Sequence, residues 1–91
     1  MGVSLSGTLR CATPQQAETV RAHLDSHVRL TRAEPGCRLF NVAPTDDPLV
    51  WTVREEFRDR AAFEAHQARA RASDWGRATH GIAREFIVEE T

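Results

Sequence analysis

The sequence contains no tyrosine and no lysine, and only two cysteines, one methionine and two tryptophans among its 91 residues. Two cysteines cannot make the disulfide framework of a small secreted domain, so reduced thiols in a cytoplasmic setting are the expectation. All twelve basic residues are arginine, which reads as genome composition rather than function. An excess of charge of one sign is also missing, with 12 basic and 13 acidic residues. The net charge of −1 gives no broad field to attract nucleic acid or a membrane surface. No apolar run approaches the roughly 20 residues that span a bilayer. The start, MGVSLSGTLR, lacks the basic segment followed by an apolar one that marks a signal peptide. Met1-Gly2 with Ser6 superficially fits an acylation site, but a strand start accounts for the same residues. No repeat, linker or low-complexity tract interrupts the chain. One small domain over residues 1–91 is expected, with a thin core that buries roughly 60–65% of the unfolded surface.

What is present is a clear succession of periodicities. Residues 3–11, VSLSGTLRC, alternate strictly: Val3, Leu5, Leu9 and Cys11 on one side, Ser4, Ser6, Thr8 and Arg10 on the other, which predicts a strand. A helix follows, with Thr13 as N-cap, Pro14 at the first helical position and Gln16 reaching back to complete a capping box. Ala17, Val20, Leu24, Val28 and Thr31 form its predicted apolar stripe. Pro35-Gly36 ends it, with Gly36 expected in a left-handed conformation. CRLFNVAP predicts a second strand, TDDP a turn, and LVWTVREEF a third strand with Leu49, Trp51, Val53 and Phe57 on one face. Asp59 caps a second helix, RAAFEAHQARARA. SDWGRATHG reads as a turn or short helical piece capped by Ser73, and IAREFIVEE as the last strand.

The order β-α-β-β-α-β is the ferredoxin-like split motif, an α+β fold. Right-handed crossovers give an antiparallel four-stranded sheet in the order 4-1-3-2 with both helices on one face. The other face is left without a helix and is expected to carry apolar side chains, which argues for a homodimer. In that sheet the first and second strands run parallel with the third between them. Cys11 ends one and Cys37 begins the other, so they lie too far apart to be bridged, and Cys37 is read as a small buried hydrophobe.

Glu34-Pro35-Gly36-Cys37, Phe40 three residues on, the DDP turn, the strand ending Glu55-Glu56-Phe57, and AAFEAH together resemble the antibiotic biosynthesis monooxygenase (ABM) domain over residues 3–90. The resemblance implies a dimeric α+β barrel. It also implies a range of activities: some members oxygenate phenols or quinols with O2 and no metal or flavin, others degrade haem, and many have no assigned reaction. Two departures stand out. The segment between His66 and Ser73 is a few residues longer than usual. SDWGRATH resembles the haem-degrading branch and would place His80 as its iron ligand. That branch also needs a tryptophan ten residues earlier and an asparagine in the first strand. Here Ala70 stands at the first place, and the strand has no asparagine.

Oxygenation without a cofactor needs a base, a group that stabilises the organic anion, and exclusion of water. His66 lies three residues after Phe63 and so shares its inward face. By type it is the best base, since imidazole titrates near neutrality. The other reading is a structural histidine, hydrogen-bonded for packing to a neighbour such as Glu55. Asn41 and Arg54 are candidate anion stabilisers, with Arg38 a weaker one, although exposed strand arginines are usually solvated or paired. Trp51, Phe63, Trp75 and Phe40 are candidate substrate-binding walls, and Trp51 also suits simple core filling. His23 and His27 are four apart on a helix, a metal-binding spacing without an evident third ligand, and read as surface or half-buried side chains. His80 suits neutralising a helix end. The expectation is a monooxygenase acting on a phenolic or quinol aromatic small molecule with O2, with no cofactor and no metal. The alternative is a non-catalytic small-molecule-binding or stress-associated dimer, with haem degradation a third reading.

Overall fold

The computed structural model describes residues 2–91, so Met1 of the Met1-Gly2 reading lies outside them. The chain runs β1 (Val3–Arg10), α1 (Pro14–Arg32), β2 (Cys37–Pro44), β3 (Val50–Phe57), α2 (Arg60–Ala72), α3 (Asp74–Ala78) and β4 (Ala83–Glu90). This is the expected ferredoxin-like order, and the segment after α2 forms a short helix. The sheet order is β2-β3-β1-β4 with every neighbouring pair antiparallel. The cysteines sit at opposite ends of it, Cys37 opposite Phe57 and Cys11 just past the Arg10–Val50 pair. No helix among the described residues is long and apolar enough to cross a membrane.

Local chemistry sets the boundaries. Thr13 accepts a hydrogen bond from the Gln16 amide at 3.2 Å, and Pro14 opens α1 where its missing N–H costs nothing. Gln16 does reach back, but to the Ala12 amide at 2.7 Å, one residue before the cap. Asp59 accepts from the Ala62 amide at 2.8 Å and starts α2. Ser73 closes α2 by donating to the Ala70 carbonyl at 2.6 Å, then caps α3 by accepting from the Gly76 amide at 3.2 Å.

Three expectations need correction. Gly36 is not left-handed; the positive-φ residue among those described is Gly7, at +155° in mid-β1. Gly36 is required for closeness instead, because a Cβ there would overlap the Ala62 methyl on α2. The buried stripe of α1 is Ala17, Val20, His27 and Thr31, with Leu24 partly buried, so His27 rather than Val28 faces the core. Positions 17, 20, 24, 27 and 31 keep a regular 3-4-3-4 spacing, which position 28 breaks.

The third correction concerns the sheet face that lacks helices. Register places Ser4, Ser6, Thr8, Thr52, Arg54, Glu56, Glu85 and Glu89 there, with Leu39, Ala43 and Ile87 as the apolar exceptions. That face is bare, as expected, but mostly polar, because β1 and β3 alternate apolar inward and polar outward. The opposite face holds the core: Val3, Leu5 and Leu9 of β1 and Trp51, Val53 and Phe57 of β3 pack with Ala17, Val20 and Phe63 of the helices. Each large side chain buried in this way contributes about 1.5–3 kcal/mol.

Candidate functional site

Between the helix layer and the sheet lies a cavity of about 320 Å³. Its floor is Leu9, Phe40, Val42, Val53, Glu55, Arg84 and Phe86 from all four strands; its roof is His27 of α1, His66 and Gln67 of α2 and Trp75 of α3. The volume lies at the small end of the range for ligand sites, which suits a guest of a few rings. The walls are largely aromatic. His27 stacks on Trp75 with ring centroids 4.6 Å apart and planes 3° from parallel. Phe40 meets the His27 ring edge-on at 5.2 Å. The His66 ring packs against Phe57 at 4.9 Å.

Two carboxylates flank His66. Its Nδ1 lies 3.2 Å from both Glu34 oxygens, so the ring donates Nδ1–H to Glu34 and keeps a lone pair on Nε2. Nε2 is 3.8 Å from Glu55 Oε1, too long for a direct hydrogen bond. Glu34 rather than Glu55 is thus the hydrogen-bond partner of His66. Glu34 is itself braced by Arg69, whose Nε donates to Oε2 at 2.5 Å and whose Nη2 donates to Thr31 Oγ1 at 2.8 Å. Thr31 in turn donates to the His27 carbonyl at 2.7 Å. The order is local: α1 ends at Arg32, the turn before Pro35 carries Glu34, and α2 presents His66 and Arg69 one turn apart towards it.

Burial dominates the electrostatics. Glu55 is 6% exposed, and desolvation, reinforced by the Glu34 charge and opposed by Arg84, pushes its carboxyl up to about 7. Desolvation lowers His66 as well; the Glu34 hydrogen bond and charge oppose that shift, and Arg69 adds to it. His27, 4% exposed, falls to about 3 through burial and then the nearby His66, Arg69 and Arg84 charges, so it is neutral at physiological pH. Two buried polar atoms on these cavity-lining residues lack a hydrogen-bond partner, His27 Nδ1 and Glu55 Oε1. Such atoms are costly to bury unpaired and mark where a bound molecule would find partners. Arg84, also lining the cavity, is held by the Thr79 and Ile82 carbonyls at 2.9 and 3.0 Å and by Thr79 Oγ1 at 2.8 Å.

The structure brings His66, Phe40 and Trp75 together around the cavity and places the other sequence candidates elsewhere. Asn41 and Arg54 face each other across β2 and β3 on the helix-free face, because they alternate with Phe40 and with Val53 and Glu55. Asn41 Oδ1 accepts from Arg32 at 3.0 Å, and Arg54 lies exposed 3.5 Å from Glu56. Neither reaches the cavity. Trp51 and Phe63 are buried in the core and do not line it, Phe63 packing on Phe57 at 5.9 Å. Arg38 lies outside it too, while exposed His80 sits at its rim. His23 bonds the Thr19 carbonyl at 3.0 Å and takes no part. Among the described residues no three His, Cys, Asp or Glu side chains converge as a metal site.

Sequence reasoning passed over Glu34, His27 and Arg84. The 3-4-3-4 spacing would have revealed His27. Arg84 aligns with Leu9 on the inward face of β4, a place visible from strand alternation. Glu34 had no sequence signal beyond its place in Glu-Pro-Gly-Cys, since its meeting with His66 spans 32 residues. The haem-type arrangement does not fit: His80 is at the rim, but Ala70 lines the cavity where a tryptophan is required and β1 offers no asparagine.

Comparison with curated proteins finds no match. Solved structures give many. Rv0793 of Mycobacterium tuberculosis superposes with a TM-score of 0.77 at 22% identity, over 100% of this chain and 95% of that one. A candidate antibiotic biosynthesis monooxygenase of Nitrosomonas europaea gives 0.80 at 16% identity, over 98% and 89%. PA3566 of Pseudomonas aeruginosa gives 0.70 at 22% identity, over 99% and 95%. At such identities these likenesses speak to the fold alone. The family profile described as antibiotic biosynthesis monooxygenase matches residues 3–78, most of the chain, and with it the protein belongs to the antibiotic biosynthesis monooxygenase family.

Proposed function

We propose that the protein is a monooxygenase that oxidises a small phenolic or quinol aromatic with O2 and no added cofactor. The observation that carries this reading is His66, fixed by Glu34 so that its basic nitrogen is free, in the wall of an aromatic cavity of about 320 Å³. A flat guest stacks against Trp75 and Phe40. Removal of its O–H proton by the His66 system leaves an electron-rich anion, which the fixed positive charge of Arg84 stabilises. The anion passes one electron to O2 and the radical pair joins. A proton returns to the peroxide and water leaves, so that SH2 + O2 gives S=O + H2O. Hydrogens, oxygens and electrons balance without an outside reductant. The roles first read for Asn41 and Arg54 pass to Arg84, which lines the cavity as they do not.

The working unit is proposed to be a cytoplasmic homodimer joined through the helix-free sheet face. Support comes from Ile87, 66% exposed on the edge strand β4, and from Leu39 and Ala43 on the opposite edge strand β2, apolar side chains on the same bare face. The alternative, a non-catalytic or stress-associated dimer that merely holds an aromatic molecule, uses the same cavity. Turnover with 18O2 separates them. A dihydroxyanthracene or quinol panel should yield product carrying one labelled atom, with oxygen uptake. Binding without uptake, or product labelled from water instead, contradicts the oxygenase reading.

A further inference from the structure

Glu55 is the one acidic side chain on the cavity floor, and it is buried in a place that carboxylates normally avoid. Phe40 is its partner across β2, Leu5 its partner across β1, and the His66 ring stands over it. Its Oε1 has no hydrogen-bond partner yet is 3.8 Å from His66 Nε2. A carboxyl held only for packing would be more stable as glutamine or leucine, because an unpaired buried acid costs desolvation without return. The arrangement Glu34–His66–Glu55 places one imidazole between two carboxylates. Only Glu34, with Arg69 beside it, is fully engaged.

We propose that Glu55 is the group that takes the proton from the bound phenol or quinol and holds it, with His66, anchored on Glu34, as the positioning residue beside it. This rests on the oxygenase reading and sharpens it, since His66 then acts through Glu55. The substrate O–H bond breaks, its electron pair stays on the phenolate oxygen, and the proton forms an O–H bond on Glu55. The proton stays on Glu55, because His66 Nε2 lies 3.8 Å away, beyond hydrogen-bond reach. After oxygen addition the proton returns by the same route to the peroxide, so none is consumed. The groups around Glu55 are His66 from α2 at 3.8 Å, Arg84 from β4 and Glu34 beyond the ring, with His27 from α1 lining the same cavity. The same pair favours a substrate with a hydroxyl for Glu55 and a second polar atom for His27 Nδ1, as in a dihydroxy or hydroxy-keto aromatic.

The test is anaerobic binding of a dihydroxyanthracene probe to the full chain, read by its phenolate absorption across pH. Wild type should bind the probe as the anion at a pH where the free probe is neutral. Glu55→Gln should bind it within a few-fold of the same affinity but as the neutral phenol. With O2 its turnover should fall by about 10²–10⁴-fold, the usual worth of a positioned base. His66→Asn should retain part of the anion signal, since Glu55 is still present. An anion band that survives in Glu55→Gln and disappears in His66→Asn overturns the proposal and makes His66 the direct base. A wild-type protein that binds the probe only as the neutral form, or not at all, overturns it as well. Oxygen uptake is scored separately: an anion lost in Glu55→Gln without any uptake by wild type keeps the proposal for Glu55 and removes the oxygenase reading. If Glu55→Gln does not fold, Glu55→Asp withdraws the carboxyl by one methylene, and an unchanged anion band in that variant counts against the proposal.

Discussion

The two faces of the sheet carry titratable groups in opposite circumstances. On the bare face, Arg54 pairs with Glu56 and Arg10 with Glu85 at 3.5 Å, all largely exposed. Water screens these pairs, and they hold little free energy. On the covered face, Glu55, His66 and His27 are nearly free of water, and burial is the largest cause moving all three from their ordinary pKa values. Arginine and glutamate are abundant on one side and costly on the other. Residue type alone therefore says little about function; the side of the strand decides it.

The comparison is tested most severely by removing the aromatic that encloses the buried groups. Trp75→Ala should cost about 3–5 kcal/mol, the range for deleting a large buried aromatic, read as a lowered urea midpoint. It should also raise the His27 pKa by admitting water, visible in histidine NMR titration. A loss under about 1 kcal/mol would mean that α3 does not seal the cavity.

A smaller effect tests the two buried ionisations against each other. The unfolded Glu55 carboxyl titrates near 4.5 and the folded one near 7, so the folded state retains a proton that the unfolded state has lost. Its contribution is full below 4.5 and is lost as pH rises through 7. His27 runs the other way: unfolded near 6.5 and folded near 3, it costs stability as pH falls below 6.5. Between these values the two slopes oppose each other. His66, also lowered by burial, adds to the His27 side, so on acidification from pH 6.5 to 4.5 Glu55→Gln should lose more stability than wild type, by about 1 kcal/mol per pH unit, the slope for one proton. Parallel curves for the two proteins would show that Glu55 is not held protonated by burial. Least of all should happen on the bare face. Arg54→Ala and Asn41→Ala should each change stability by no more than about 1 kcal/mol.

The fold was legible because it rests on local chemistry. Strict alternation in β1, the Thr13-Pro14 and Asp59 caps and the Pro35 stop are all readable within a few residues. The strand order followed from chain handedness. The site was legible only in part. His66 was visible from its spacing to Phe63, and Phe40 and Trp75 from their type. Asn41 and Arg54 were misplaced because a polar residue in a strand looks the same whichever way it points, and β2 carries a register shift between Cys37 and Leu39. Glu34 was hidden because its partner lies on another helix. The bare face was expected to be apolar, yet the serines and threonines alternating along β1 already marked it as polar.

Oxygen uptake with one quinol substrate, compared between His66→Ala and Arg54→Ala, tests the central claim most directly. The predicted result is a fall of about 10²–10⁴-fold in the first, with the far-UV spectrum retained, and turnover close to wild type in the second. Equal rates in the two variants, or a collapse only in Arg54→Ala, would place the chemistry on the other side of the sheet and contradict the account.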